Sequence, residues 1–155
     1  MIEHPVLGTV RPREDEDESY DIELSFRGKP LAMNLDLDTV PLEEVLTLAV
    51  KVVSSLEDLE SVARTVACRD LLPMYNGGWN EYDEIQEDGS IQSVKKPELD
   101  DEEFKARLSI EEIHIVGTDY AEVWFDDKDL FWGNQIFVTF PEGEVTHDAE
   151  VELFG

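Results

Sequence analysis

The chain has 155 residues, 41% of them hydrophobic, enough to bury a core and expected to fold as one domain; its only cysteine, Cys68, excludes an intrachain disulfide. Acidic residues number 38 against 12 basic ones, for a formal net charge of −26. So negative a surface repels nucleic acids and anionic membranes and attracts a basic partner or cations, unless the charge serves only solubility or adaptation to salt.

Met1-Ile-Glu-His-Pro5 lacks the basic start and apolar stretch of a signal peptide, and the longest apolar segment, Val45 to Val53, is interrupted by Thr47 and Lys51. A soluble cytoplasmic protein is therefore expected.

In chain order, Val6 to Val10 reads as a short strand and the acidic run Glu14 to Glu18 as a loop. Tyr20, Ile22, Leu24 and Phe26 then alternate with polar residues. After the turn Arg27-Gly28-Lys29-Pro30, Leu31, Met33, Leu35 and Leu37 do the same. A period of two marks a hairpin with one buried and one wet face.

Helical spacing follows in Leu42, Val45, Leu46, Ala49, Val53 and Leu56, with Pro41 suited to a first turn. Ser55 stands three residues before Asp58, a weak variant of a capping box, ahead of Leu59, Val62, Ala63 and Val66. Two packed helices, about 42–55 and 56–72, are predicted, the second stopped by Pro73 and Gly77-Gly78. Cys68 falls within it as a buried, unreactive thiol. Glu81 to Asp88 reads as an acidic loop, and a short helix is predicted from about Asp100 to Leu108.

The last third returns to strands around Ile113 and Ile115, around Val123 and Phe125, and along Ile136, Val138 and Phe140. A last strand is predicted through Val145, His147, Ala149, Val151 and Leu153, with His147 as a core or core-edge imidazole. The predicted class is α+β: an antiparallel sheet with two to three helices on one face, in the order β-β-(β)-α-α-α-β-β-β-β. The other face would gather Glu23, Ser25, Arg27, Asn34, Asp36, Asp38, Asp148, Glu150 and Glu152.

The densest constellation is Tyr120-Ala-Glu-Val-Trp-Phe-Asp-Asp-Lys-Asp-Leu-Phe-Trp-Gly-Asn134. Clustered carboxylates suit a hard cation, but with Asp127 first and Asp129 third, a calcium loop would have Phe131 fifth and Trp132 sixth, where glycine is required. Gly89 fares no better, because Lys95 ends the loop it would centre. No metal or cofactor is expected. The aspartates read as solvated, with Phe131 and Trp132 folded back over the core. A functional version leaves Trp124 or Trp132 as an aromatic anchor rimmed by Asp126, Asp127 and Asp129.

His114 shares a strand face with Glu112 and Val116, where a carboxylate neighbour would raise its pKa. No Gly-x-Ser-x-Gly elbow, Cys–His signature or glycine-rich phosphate loop is present.

The segment Val123-Trp-Phe-Asp-Asp-Lys-Asp-Leu-Phe-Trp-Gly-Asn-Gln-Ile136, with the acidic strand after it and Leu7-Gly8-Thr9 near the start, resembles the bacterial family labelled domain of unknown function 2262. The resemblance implies a bacterial origin and carries over no catalytic residues.

The leading expectation is a non-enzymatic protein that engages a basic protein partner, such as a nuclease toxin held by an immunity-type inhibitor, through an acidic sheet face. Its binding residues would be Asp36, Asp38, Trp124, Asp126, Asp127, Asp129, Phe131 and Trp132. The alternatives are a metal-dependent hydrolase using Asp126, Asp127, Asp129 and His147, and a stable acidic domain with no dedicated partner.

Overall fold

A computed structural model describes all residues, 1–155. The elements run β1 (Ile2–His4), β2 (Gly8–Pro12), β3 (Ser19–Phe26), β4 (Lys29–Asp36), α1 (Leu42–Ser54), α2 (Leu56–Met74), β5 (Glu81–Ile85), β6 (Ile91–Lys95), α3 (Asp101–Arg107), β7 (Ser109–Val116), β8 (Tyr120–Asp126), β9 (Gln135–Pro141) and β10 (Glu150–Phe154). The fold is α+β. Eight strands form one sheet in the order β1-β2-β3-β4-β7-β8-β9-β10, and β5 and β6 form a separate hairpin.

All neighbours in the large sheet are antiparallel except β4 and β7, which are parallel. Parallel neighbours need a long crossover, and here it contains all three helices. The helices therefore lie on one side of the sheet, with α1 against β7 and α2 against β8, β9 and β10.

The alternation in β3 and β4 works as the period predicts. Ile22, Leu24, Leu31, Met33 and Leu35 are buried toward the helices, while Asp21, Glu23, Ser25, Ala32 and Asp36 are exposed on the other side. Arg27 and Gly28 join the strands with φ of 53° and 77°, both positive, as the tight turn of a right-twisted hairpin demands. One hydrophobic cluster of 33 buried residues fills the space between sheet and helices.

Several expectations change. Ser55 makes no side-chain cap; its backbone N–H bonds back to Lys51 and Val52, so α1 and α2 are separated by one residue. The capping box forms instead at α3, where the Asp100 carboxylate accepts from the Glu103 N–H and the Glu103 carboxylate from the Asp100 N–H.

Pro73 does not end α2, which continues to Met74 and into a wide π-type turn over Tyr75–Trp79. Both Pro73 and Arg69, whose carbonyl loses the helical bond, are exposed, so water can take that bond. The segment Glu81 to Asp88 is not a loop: most of it is strand β5, paired with β6 in register Tyr82↔Val94 and Ile85↔Ile91. Neither face of this hairpin is buried, so no apolar alternation marks it in the sequence.

The last strand is shorter than predicted. Val145, His147 and Asp148 lie in an irregular segment where the Thr146 hydroxyl accepts from the Asp148 N–H and the Thr146 carbonyl from the Ala149 N–H. His147 is exposed rather than placed in or beside the core. Local side-chain-to-backbone bonding outcompetes the ladder here. At the head of this segment Gly143 has φ 67°, and a Cβ there would stand 2.8 Å from Leu48 and 3.1 Å from Val52 of α1. Only glycine lets the chain pass so close to the helix.

Candidate functional site

The side of the sheet away from the helices has no element packed on it. Its register places Arg11, Asp21, Asn34, His114, Glu122, Thr139 and Glu150 in one row across seven strands. The adjacent row holds Glu23, Ala32, Glu112, Trp124, Phe137 and Glu152. With Asp36 in the next row, seven carboxylates gather on the middle of this face, Asp21, Glu23, Asp36, Glu112, Glu122, Glu150 and Glu152, and Glu3 and Asp126 stand at its margins. The basic groups among them are Arg11, His114 and, at the margin, Arg13, whose guanidinium is 3.8 Å from Asp21.

An aromatic cluster sits at the centre. Trp124 stacks on Phe137 with ring centres 4.4 Å apart and meets the edge of Phe154 at 5.5 Å and the His114 ring at 5.0 Å. Its indole N–H donates to Glu122 Oε1 at 3.2 Å. Cross-strand aromatic pairs stabilise a sheet face without a second layer, which accounts for Trp124 being buried on an open face.

His114 lies between two carboxylates. Its Nε2 is 3.0 Å from Glu112 Oε1 and its Nδ1 is 3.6 Å from Glu122 Oε1. The Glu112 approach is close enough for charge pairing but misdirected for a hydrogen bond, so the shielded Nε2 has no hydrogen-bond partner. Asn34 Nδ2 reaches the other Glu112 oxygen at 3.5 Å. Burial pulls the His114 pKa down, but its contacts with Glu122 and Glu112 outweigh that, and the net displacement is upward from 6.5.

A histidine whose folded pKa is raised adds stability that is complete below the unfolded value, and this is lost as pH rises through the folded one. The wild-type protein is thus expected to lose stability relative to His114→Gln as pH climbs from about 6 to about 8. Urea midpoints of both proteins across that range check this. A flat difference would mean that no proton is linked to folding at His114.

The negative potential extends to the end of the face near the β7–β8 turn. Burial and then Glu122, Asp38, Asp119 and Asp36 push the Tyr120 hydroxyl above its ordinary pKa.

The residues singled out from sequence fall in three places. Asp36 and Asp38 lie at the β4 end, where the Asp36 carboxylate accepts from the Asp38 N–H at 3.0 Å. Trp124 forms the centre of the open face. Asp126, Asp127, Asp129, Phe131 and Trp132 lie at the opposite end of the sheet, roughly 20 Å from Tyr120 along β8.

Among these, Asp127 is buried, its two oxygens accepting from the N–H groups of Asp129 at 3.1 Å and Phe131 at 3.0 Å. Burial raises its pKa, and those two bonds offset part of the rise. Asp126 accepts from the Lys128 N–H. These carboxylates hold their own turn, and Asp126 and Asp129 face solvent. His147 lies beyond the other end of β9, so it does not join them. No group of three or more His, Cys, Asp or Glu side chains is placed to hold a metal ion.

Phe131 enters the core, while Trp132 stays 59% exposed against Trp79, so only one of the pair folds back as expected. Arg27, expected on the open face, turns to the helix layer and pairs with Glu60 at 2.6 Å. Cys68 is buried in α2; burial and then the neighbouring Asp101 raise its pKa, consistent with an unreactive thiol.

Glu112 is legible in the sequence as the neighbour of His114, whereas Glu122, Phe137 and Phe154 carry no such signal. Alternation along each strand places them on one side, but only strand order brings them together.

Fold and face together define a class: an α+β domain whose helices cover one side of a large sheet and leave an acidic, aromatic-centred side open. The chain belongs to the family described as an uncharacterized protein conserved in bacteria (DUF2262), whose model matches residues 4–151. No curated protein and no solved structure matches it. No helix is long and apolar enough to cross a membrane.

Proposed function

We propose that this protein is a non-enzymatic binding protein whose open sheet face engages a basic protein partner. The observation that carries the reading is the gathering of seven carboxylates around the Trp124–Phe137–Phe154 cluster on a face with no second layer. Charge on such a face steers a positive partner and speeds encounter, and the aromatic centre supplies the apolar contact that holds it. A nuclease toxin fits as the partner, because its phosphate-binding groups would meet carboxylates in place of phosphates.

The test compares two triple variants with equal charge change. Asp21→Lys, Glu23→Lys and Glu152→Lys alter the open face, while Glu57→Lys, Glu87→Lys and Glu102→Lys alter exposed positions away from it. Immobilised proteins are exposed to bacterial lysate and washed at low and then high salt. The wild type and the second variant are expected to retain a salt-released basic protein, and the first to retain at least about tenfold less. Equal loss from both variants would mean that only net charge matters, and the face would have no specific role.

A further inference from the structure

The sheet has two edges, and they are built differently. β1 is three residues long and ends at His4, whose Nδ1 accepts from the Val6 and Leu7 N–H groups, so this edge turns back on itself. β10 has five residues, all paired with β9 in unbroken register, and is bonded on that side only. It contains no proline, lysine or bulge, and its guards against further strand pairing are the charges of Glu150 and Glu152.

Its side chains alternate cleanly. Glu150, Glu152 and Phe154 are exposed on the open face, and Val151 and Leu153 are half-buried on the helix side, where α2 packs against β10. A strand added beside β10 would extend both layers: one set of its side chains would continue the acidic face next to Glu150 and Glu152, the other would cover Val151 and Leu153.

Charge selects among the possible strands. Antiparallel pairing of β10 with a second copy, centred on Glu152, would oppose Glu152 to itself; centred on Val151, it would oppose Glu150 to Glu152; only centring on Leu153 avoids this, by slipping Glu150 off the end of the ladder. Like charges directly across a strand pair are destabilising. The edge therefore disfavours its own copy and suits a strand with lysine or arginine at alternate positions and apolar residues between them.

The geometry points to β10 as a docking edge that receives a basic, alternating extended segment of the partner as a ninth strand of the eight-stranded sheet. This rests on the basic-partner reading above and adds how the partner is held: main-chain bonds supply affinity, and Glu150 and Glu152 supply the preference.

The probe is an acetylated seven-residue peptide of alternating valine and lysine, fluorescently labelled, tested on the full chain. Its analogue, N-methylated throughout, keeps the side chains and charge and loses the main-chain donors. The unmodified peptide is expected to bind and to protect amides of residues 150–154 from hydrogen exchange, and the methylated analogue to bind at least about tenfold more weakly. Equal, salt-sensitive binding of both peptides would overturn the docking edge and leave the open-face reading standing. No binding of either would overturn both. Concentration-dependent self-association of the protein alone, with the same amides protected, would overturn the choice of occupant in favour of a second copy.

Discussion

Replacing Phe131 with alanine is expected to destabilise the protein by about 3–5 kcal/mol, whereas Trp132→Ala, one residue on, should change stability by less than about 1 kcal/mol. Phe131 is fully buried, with its ring edge-on to Trp79 at 5.3 Å, Tyr75 at 6.0 Å and Phe104 at 6.5 Å. It thereby ties the β8–β9 loop to the π-type turn after α2 and to α3. Truncation leaves a cavity among three rings held by two elements, the π-type turn and α3, which cannot close over it without moving both. Trp132 touches Trp79 from outside and keeps most of its surface in water. Urea denaturation followed by circular dichroism separates the two. A cost below about 1 kcal/mol for Phe131→Ala would show that the loop is not anchored through this ring.

The second large effect is expected at Arg64. Glu60 of α2 is 3% exposed and is neutralised by Arg27 at 2.6 Å and Arg64 at 3.6 Å. Arg64 also donates to the Lys105 and Leu108 carbonyls at the end of α3 and lies over the Phe125 ring. Arg64→Met keeps much of the volume and removes the charge, leaving the buried carboxylate to an arginine that is itself largely solvated; the Leu108 carbonyl loses its side-chain donor, and the Lys105 carbonyl keeps only the Leu108 N–H. The expected cost is about 3–5 kcal/mol.

Glu60→Met in the same background removes the stranded charge and should recover at least about 1 kcal/mol, because a buried ion pair exchanged for apolar groups is often neutral. A double variant less stable than Arg64→Met alone would show that the Glu60 carboxylate is not under-compensated in the single variant.

Legibility in the sequence followed burial. β3 and β4 could be read because one face of each is buried, so apolar and polar residues alternate without a break. The hairpin Glu81–Lys95 could not, because Tyr82, Ile85 and Ile91 have water on both sides and impose no period. The last strand was read too long because Val145 and His147 continue a period of two by composition while Thr146 and Asp148 bond locally and break the ladder. Pro73 predicts a stop, yet the helix continues because the carbonyl it deprives of a partner lies on the solvated side.

The candidate site divides in the same way. Alternation alone puts Glu23, Asn34, Asp36, Glu150 and Glu152 on the wet side of their strands, and the position of Glu112 two residues from His114 indicates one of the two carboxylates that raise its pKa, the other being Glu122 across the strand pair. The aspartate run after Phe125 drew attention by density, but a dense run in one short segment is what a loop uses to bond its own backbone, as Asp126 and Asp127 do.

By itself the sequence determined the α+β class, the acidity and the wet side of strands with one buried face, such as β3 and β4, because these depend on residue type and on periods within a few neighbours. The tertiary structure decided which wet sides lie together. Strand order and register join His114 to Glu122 across β7 and β8, Trp124 to Phe137 across β8 and β9, and leave β10 as an unpaired edge. Pairing between strands depends on how distant segments share one core, and no local period encodes that.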